Sequence, residues 1–450
     1  MTKILLDLLE GEMWKITKFL VSVPYKEEVI IFNTFTSSLV LIEKDLYKRI
    51  FVDGNFDMVD KDIINSLAEM SFLVDSDLDE SFLLETIRTK GRYYDSDIRM
   101  ITIAPTLACN ARCYYCYEQG IQFTMMSKET AAALVDYLDK NCSERKLTLT
   151  WFGGEPLMGK TMIDYITRSL LDRGIEILSV ITTNGYLIDD EVIEKAKGYW
   201  NIRRFQITID DLGEAYNRIK NYVESGDAFT RVTENIQKLL ENGIKVNVRI
   251  NFDPNKIDGT IKTIDYLKER FGNYDTFFMY VAAINDLNVE SVLNNFNNKV
   301  EHPYLTLLRK MKDLGFLCPT TLSAELETKF DDEETLRYLN LRSRPIACYA
   351  TCLNKLVVDP QGNFFKCHRL LGRGKKYMCG NIYDGIKYND AYKMFVDGKM
   401  SSSKCEQCNL LPMCQGGCKV KAMLYGEEQA CIANKTIMND LVKLLTEEMM

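Results

Sequence analysis

Three thiols within eight residues, Cys109, Cys113 and Cys116, form the densest chemistry in the chain. They lie in the stretch Cys109-Asn110-Ala111-Arg112-Cys113-Tyr114-Tyr115-Cys116-Tyr117. A cubane iron–sulfur cluster needs one thiolate per iron, so three thiolates leave one iron open to another ligand. The competing readings are a structural zinc site and a disulfide. Zinc usually takes four ligands in paired knuckles, and no fourth Cys or His lies close in sequence. A second concentration follows between 346 and 431: Cys348, Cys352, Cys367, Cys379, Cys405, Cys408, Cys414, Cys418 and Cys431. That number of thiols exceeds any need of core packing, and clustered Cys point to metal. Cys142 and Cys318 stand apart and read as ordinary core cysteines. His302 and His368 are the only histidines, so a His-based metal site or triad is not expected.

The elements that position these residues are legible as an alternation. Strand-like runs cover Met100–Ala104, Leu147–Phe152, Ile175–Thr182, Arg204–Ile209, Lys245–Asn251 and Thr276–Ala283. Helical stretches lie between them at Lys128–Lys140, Met162–Leu171, Asp190–Lys197, Val232–Glu241 and Lys256–Phe271. Six successive βα units demand parallel strands with right-handed crossovers. Six units rather than eight imply a partial, open barrel that admits a large substrate. Pro105 ends the first strand, so the three thiols sit on a loop past a strand's carboxyl end, where α/β barrels place their chemistry.

The expected fold class is therefore α/β: a partial (β/α)6 TIM-like barrel over residues 96–315, preceded by an N-terminal α+β module over 1–95. In that module Val29–Phe32 and Ser38–Ile42 read as a hairpin, Asp60–Leu67 as a capped helix, Phe72–Val74 as a strand and Asp77–Arg88 as a helix. A hairpin with small helices suggests a winged-helix-like unit. It is either a cap on the barrel or a docking module whose strand edge pairs with an extended peptide. Residues 316–345 read as a bridge with a charged helix around Asp331–Arg342, 346–434 as a Cys-rich domain, and 435–450 as a closing helix.

Composition narrows the class. Across 450 residues, 46% are hydrophobic and 27% charged, an ordinary globular balance. The net charge of -8 argues against nucleic acid as a partner. No apolar run approaches bilayer length, and the start lacks a signal peptide's apolar region, so a cytoplasmic protein with reduced thiols and no membrane partner is expected.

With its aromatic residue Tyr115 before the third Cys, the C-x3-C-x2-C loop resembles the radical S-adenosylmethionine (SAM) superfamily. Further residues carry the resemblance. Gly153-Gly154-Glu155-Pro156 matches the family's motif that grips the amino group of SAM. Thr183-Asn184-Gly185 sits where the family often reads Thr-Asn-Gly, a plain turn being the alternative. Gln206-Ile207-Thr208-Ile209-Asp210-Asp211 is similar to the family's Gln-Ile-Ser-Leu-Asp-Gly, with Thr208 placed for SAM. The family's basic residue for the SAM carboxylate falls at Lys220 or Arg218. Asn251 closes the fifth strand, a surface turn being an equal reading. The resemblance implies SAM bound by Tyr115, Gly153, Gly154, Glu155, Asn184, Thr208 and Lys220 or Arg218, with a [4Fe–4S] cluster on Cys109, Cys113 and Cys116.

The C-terminal Cys pattern, Cys352-x9-Gly362-x4-Cys367, then Cys405-x2-Cys408-x5-Cys414-x3-Cys418 and Cys431, resembles the SPASM domain of peptide- and protein-modifying relatives. By that resemblance Cys348, Cys352, Cys367 and Cys418 hold one auxiliary [4Fe–4S] cluster, and Cys405, Cys408, Cys414 and Cys431 a second, giving three clusters in all. Two zinc knuckles are the competing reading, and Cys379 is surplus and reads as packed. The family's sulfatase maturases carry an Asp base just after the Gly-x4-Cys ligand. Here His368 stands there, and together with the segment 1–95 this looks more like a maturase of ribosomally made peptides. The implied reaction is oxidative crosslinking of a precursor peptide docked on the N-terminal module. Cys thioether formation leads, with carbon–carbon crosslinking and formylglycine formation as alternatives. The implied reductant is a flavodoxin or ferredoxin. His368 and Asp210 are candidate bases, Asp210 reading rather as a brace of the barrel. An iron–sulfur electron carrier is the non-enzyme reading, but a carrier needs neither the Gly-Gly-Glu-Pro motif nor six βα units.

Overall fold

The computed structural model describes residues 14–93, 98–224, 226–284, 302–316, 348–400, 403–426, 431 and 437–449. The bridge expected at 316–345, with Cys318 and the charged helix, falls outside them apart from residue 316. The chain divides into two compact units. One joins residues 1–94 to 327–348 and 398–450; the other joins 95–326 to 349–397.

The first unit begins with β1 (Trp14–Ile16), β2 (Leu20–Tyr25), β3 (Glu28–Asn33) and β4 (Leu39–Glu43), then α1 (Lys61–Glu69), β5 (Leu73–Asp75) and α2 (Glu80–Tyr93). Strands β2, β3 and β4 form an antiparallel sheet, and β1 pairs with β5. The expected β3–β4 hairpin is present, but β2 carried no turn signal. Its two-residue link to β3 places Lys26 at φ 51°, a conformation usually announced by Gly or Asn. Helix α1 starts at Asp60, whose side chain accepts from the Asp62 N–H. It buries Ile64, Leu67 and Ala68 against Val29, Ile31, Ile42, Phe72 and Leu73.

The second unit is built on β6 (Met100–Thr106), β7 (Lys146–Gly153), β8 (Glu176–Thr183), β9 (Ile202–Thr208), β10 (Lys245–Phe252) and β11 (Phe277–Ala283). Each is parallel to the next, as the βα alternation requires. The intervening helices are α3 (Lys128–Asn141), α4 (Lys160–Asp172), α5 (Asp190–Lys197), α6 (Gly213–Lys220), α7 (Ala228–Glu241) and α8 (Ile257–Phe271), with α9 (Pro303–Asp313) after β11. Ser127, Asp189 and Asp227 cap α3, α5 and α7 through their side chains. Helix α6 has no such start signal; Leu212 precedes it without a side-chain bond.

The sheet extends past the barrel's six strands. Strand β12 (Leu356–Val358) lies parallel to β6, and β13 (Phe364–Phe365) returns antiparallel to β12, giving the order β11-β10-β9-β8-β7-β6-β12-β13. Side chains alternate between two environments. Leu147, Leu149 and Trp151 are buried, whereas Thr148, Thr150 and Phe152 remain partly accessible. Short elements follow: α10 (Asp390–Val396) in this unit, then α11 (Lys419–Tyr425) and α12 (Met438–Met449) in the first, where α12 packs on β2 and β3. Among the described residues no helix is long and apolar enough to cross a membrane.

Candidate active site

The loop that leaves β6 is strapped down on one side. The Arg112 N–H donates to the Lys220 carbonyl at 2.9 Å, the Val223 N–H to the Asn110 carbonyl at 2.8 Å, and Ala111 bridges to Tyr222. The segment that closes α6 therefore fixes the backbone between Cys109 and Cys113. The Cys109 sulfur accepts from the Ala111 N–H at 3.4 Å and lies 3.9 Å from Asn184 Nδ2. Burial pushes the Cys109 thiol up to about 12, with Glu155, Cys113 and Cys116 adding to it. Burial also raises Cys113, against the pull of Lys220, and raises Cys116. Three mutually repelling, desolvated thiols stay protonated at neutral pH until a cation ionises them, and iron does so on binding.

Gly153 and Gly154 bring β7 against this loop. A Cβ on Gly154 would sit 2.4 Å from the Ala108 carbonyl oxygen, and Gly153 is at φ 116° with the Thr106 oxygen 2.2 Å from its Cβ position. No other residue fits there. Glu155 is fully buried, and its carboxylate accepts from the Leu157 N–H, the Thr183 hydroxyl and the Asn184 N–H at 3.0, 2.7 and 2.7 Å. It thus fixes the Thr183–Asn184 turn. Burial pushes its carboxyl up to about 7 against those three donors.

Beside the thiols lies a buried polar network. Lys220 Nζ meets Asp210 Oδ2 at 2.7 Å and donates to the Thr208 hydroxyl at 2.6 Å and the Tyr115 hydroxyl at 3.1 Å. Tyr115 donates to Asp210 at 2.6 Å, and Asn251 Nδ2 donates to the other Asp210 oxygen at 2.7 Å. Burial works against the Lys220 charge, but Asp210 and then Tyr115 hold its pKa well above the usual value. Asp210 thus braces the barrel end, and Asn251 is 6% exposed inside it, which removes the surface-turn reading. Tyr115, Thr208 and Lys220 converge here, whereas Arg218 is exposed on α6.

These residues suit a cubane and SAM. Cys113 and Cys116 both act on the Cys109 thiol, and the Gly153–Gly154 cradle and the Lys220–Asp210 network stand beside the same loop. Asn184 Oδ1 accepts from the Tyr186 N–H, so its Nδ2 donates, at 2.7 Å, to Asn110 Oδ1. That leaves Asn110 Nδ2 buried beside Cys109 with no partner, a donor waiting for an acceptor. Asn110 and Tyr222 were not legible as site residues, because ordinary loop positions carry no motif.

The auxiliary thiols divide between the two units. Burial pushes Cys414 up to about 11, and Cys431, Cys408 and Cys405 add to it. Cys352 and Cys367 flank the β12–β13 hairpin in the barrel unit, while Cys348 and Cys418 belong to the other. Cys379 is fully buried, its sulfur donating to the Phe364 carbonyl at 3.4 Å, as a packed thiol. Among the described residues no cysteine is in a disulfide. Lys366, unsuspected from sequence, is fully buried. Its ammonium donates to the carbonyls of Cys352, Leu353 (3.2 Å) and Lys355 (3.0 Å), clamping the loop that carries Cys352.

His368 turns into the barrel. Its ring packs on Phe152 with centroids 4.6 Å apart, stands 6.5 Å from Tyr117 of the thiol loop, and its Nδ1 is 2.6 Å from the Tyr349 hydroxyl. Together with Met100, Thr102, Thr150, Phe152 and Lys355 it lines a cavity of about 40 Å³, room for one or two waters. Burial, then Arg369 and Arg249, pull its pKa down to about 4, so the imidazole is neutral at pH 7.

The thiol loop at a strand's carboxyl end, the Gly-Gly-Glu-Pro turn and the six parallel strands define a radical SAM domain. Residues 103–267 match the family model described as Radical SAM superfamily. Among curated proteins the chain is 26% identical over 334 residues to a cysteine-type anaerobic sulfatase-maturating enzyme of Clostridium novyi (strain NT), covering 69% of this chain and 85% of that one. It is 32% identical over 160 residues to a GTP 3',8-cyclase of Clostridium perfringens (strain SM101 / Type A), covering 34% of this chain and 47% of that one. Among solved structures it resembles native anSMEcpe with bound AdoMet (TM-score 0.58, 16% identity, 78% of this chain and 99% of that chain). It also resembles Streptococcus suis SuiB (TM-score 0.51, 16% identity, 93% of this chain and 99% of that chain). These two share its fold.

Proposed function

We propose that this protein is a radical SAM peptide maturase that oxidatively crosslinks a ribosomally made precursor peptide, forming a thioether from a Cys sulfur to a carbon. The observation that carries the reading is the meeting of the thiol loop with the Lys220–Asp210 network, Cys113 Sγ lying 3.8 Å from the Lys220 carbonyl, with the His368 ring 6.5 Å from Tyr117 of the same loop. With a [4Fe–4S] cluster on Cys109, Cys113 and Cys116, SAM and one electron supply a 5′-deoxyadenosyl radical that takes hydrogen from an unactivated carbon. Gly153 and Gly154 admit the SAM amino end to the backbone, and Thr208, whose hydroxyl accepts from Lys220 and keeps its own proton, offers a donor to the SAM carboxylate or ribose with the Lys220 charge behind it. Glu155 holds the turn that carries Asn184.

Thioether formation removes one hydrogen atom from carbon, one proton from sulfur and one electron. His368 is the candidate base for that proton, its Nδ1 2.6 Å from the Tyr349 hydroxyl, and burial makes it a weak one. An auxiliary cluster, which Cys348, Cys352, Cys367 and Cys418 or Cys405, Cys408, Cys414 and Cys431 would hold, would supply an acceptor for that electron. A flavodoxin or ferredoxin is the fitting reductant, in a cytoplasm that keeps thiols reduced. The peptide substrate is supported by the relatives: one SuiB structure is bound to precursor peptide SuiA, and an anSMEcpe structure holds the Kp18Cys peptide. The SuiB match also spans nearly the whole chain. Formylglycine formation is the second reading, favoured by the sulfatase-maturase relative.

The test is anaerobic reconstitution with iron, sulfide, SAM and dithionite, followed by addition of a Cys-bearing peptide encoded beside the gene. Release of 5′-deoxyadenosine and a product two hydrogens lighter per crosslink, with Cys no longer alkylatable, is expected. A product whose cysteines all alkylate excludes the thioether. Intact SAM, or zinc in place of iron and sulfide, overturns the whole reading.

A further inference from the structure

We propose that the N-terminal segment is the scaffold on which the second auxiliary cluster is built, and that Thr34, Arg88 and Asn409 are positioning residues for its ligands. The inference rests on reading Cys405, Cys408, Cys414 and Cys431 as iron ligands. The local chain cannot hold these thiols by itself. Cys405 closes a 3-residue 3₁₀ turn, and Cys414 ends a 4-residue helix followed by Gln415 at φ 51° and Gly416 at φ 91°. Elements so short have no stability of their own in water.

What fixes them comes from the other end of the sequence. Asn409 follows Cys408 directly, and its side chain donates to the Leu20 carbonyl on β2 at 2.8 Å. Its own carbonyl accepts from the hydroxyl of Thr34, the residue after β3. Gln415 follows Cys414 directly, and its carbonyl accepts from the Arg88 guanidinium of α2 at 3.3 Å. Arg88 is 1% exposed and also meets Glu85 at 2.8 Å, so its fork is held in place. Cys405 packs against the apolar cluster of Phe19, Phe35, Leu84 and Leu411. Three of the four thiols thus carry a direct anchor in residues 14–93. Such anchors orient metal ligands, and their loss weakens metal binding about 10–100-fold.

The functional consequence is a coupling. A segment that docks a precursor peptide while holding the cluster that takes its electron ties substrate capture to electron acceptance. Any binding energy that tightens the segment also tightens the cluster's ligands, and the reverse holds by linkage.

The test uses the full chain, reconstituted anaerobically, with iron and acid-labile sulfide counted and the reduced clusters examined by electron paramagnetic resonance. Thr34→Val, Arg88→Met and Asn409→Ala should each lose about four irons together with one auxiliary signal. Cleavage of SAM to 5′-deoxyadenosine should persist, because Cys109, Cys113 and Cys116 belong to the other unit. Thr34→Ser keeps the hydroxyl and should keep the cluster. Full cluster content in all three disruptive variants overturns the scaffold. So does loss of every cluster together, because the claim is selective. A wild-type chain with about four irons in total defeats instead the auxiliary-cluster reading beneath it.

Discussion

Lys220 and Asp210 are both nearly inaccessible, and each is the other's main compensation. Removing one charge strands its partner, which typically costs 3–5 kcal/mol. Asp210 keeps Asn251 and Tyr115 as donors, so Lys220→Met should destabilise the protein by about 3 kcal/mol, and Lys220→Met/Asp210→Asn by less. Chemical denaturation of the two variants checks the order. Glu155 sets a pH dependence. Its folded pKa of about 7 lies above the ordinary 4.5. The associated stability is therefore full below about pH 4.5 and fades as pH rises through about 7, a loss of about 3 kcal/mol. Glu155→Gln should flatten that slope in thermal melts of the iron-free chain. At His368 the expected result is uncoupling: His368→Gln should still release 5′-deoxyadenosine while crosslinked product falls at least tenfold. Equal loss of both would make it a structural residue.

At the scale of elements, the thiol loop depends on a helix that carried no sequence signal. Lys220 and the carbonyl that receives Arg112 both sit at the end of α6. The Gly154 cradle is tight enough that Gly154→Ala must move backbone, since its Cβ would lie 2.4 Å from the Ala108 oxygen. A SAM affinity weaker by tenfold or more is expected from equilibrium binding, together with a lower melting temperature, because the clash is with backbone. The β12–β13 hairpin presents a different case. The Gly-x4-Cys spacing marked Cys367 as a ligand candidate, but nothing in it said that β12 would extend the barrel sheet beside β6. Lys366 then holds the Cys352 loop by three carbonyls. Lys366→Met should lower iron loading by about one cluster, read by iron count and optical absorption.

For the whole molecule, iron is expected to contribute to folding as well as to chemistry. Thiols that are protonated in the apo chain must lose their protons to bind it, so reconstitution should run faster at higher pH, and chelation should lower the melting temperature. The six strands, five of the barrel helices and the thiol loop followed from the sequence alone, because apolar periodicity and Cys spacing are local properties. Their boundaries fell within a few residues of the observed elements. The N-terminal hairpin and helix α1 were legible for the same reason, whereas β2 was hidden behind a turn at Lys26 that lacks Gly or Asn. What only the tertiary structure decided were meetings between residues far apart in the chain: Asn110 with Asn184, Tyr115 with Asn251, Arg88 with Gln415, and Asn409 with Leu20. Each is a hydrogen bond between side chains or carbonyls of common types. Such bonds leave no period and no motif, and only the packed chain brings the partners within reach.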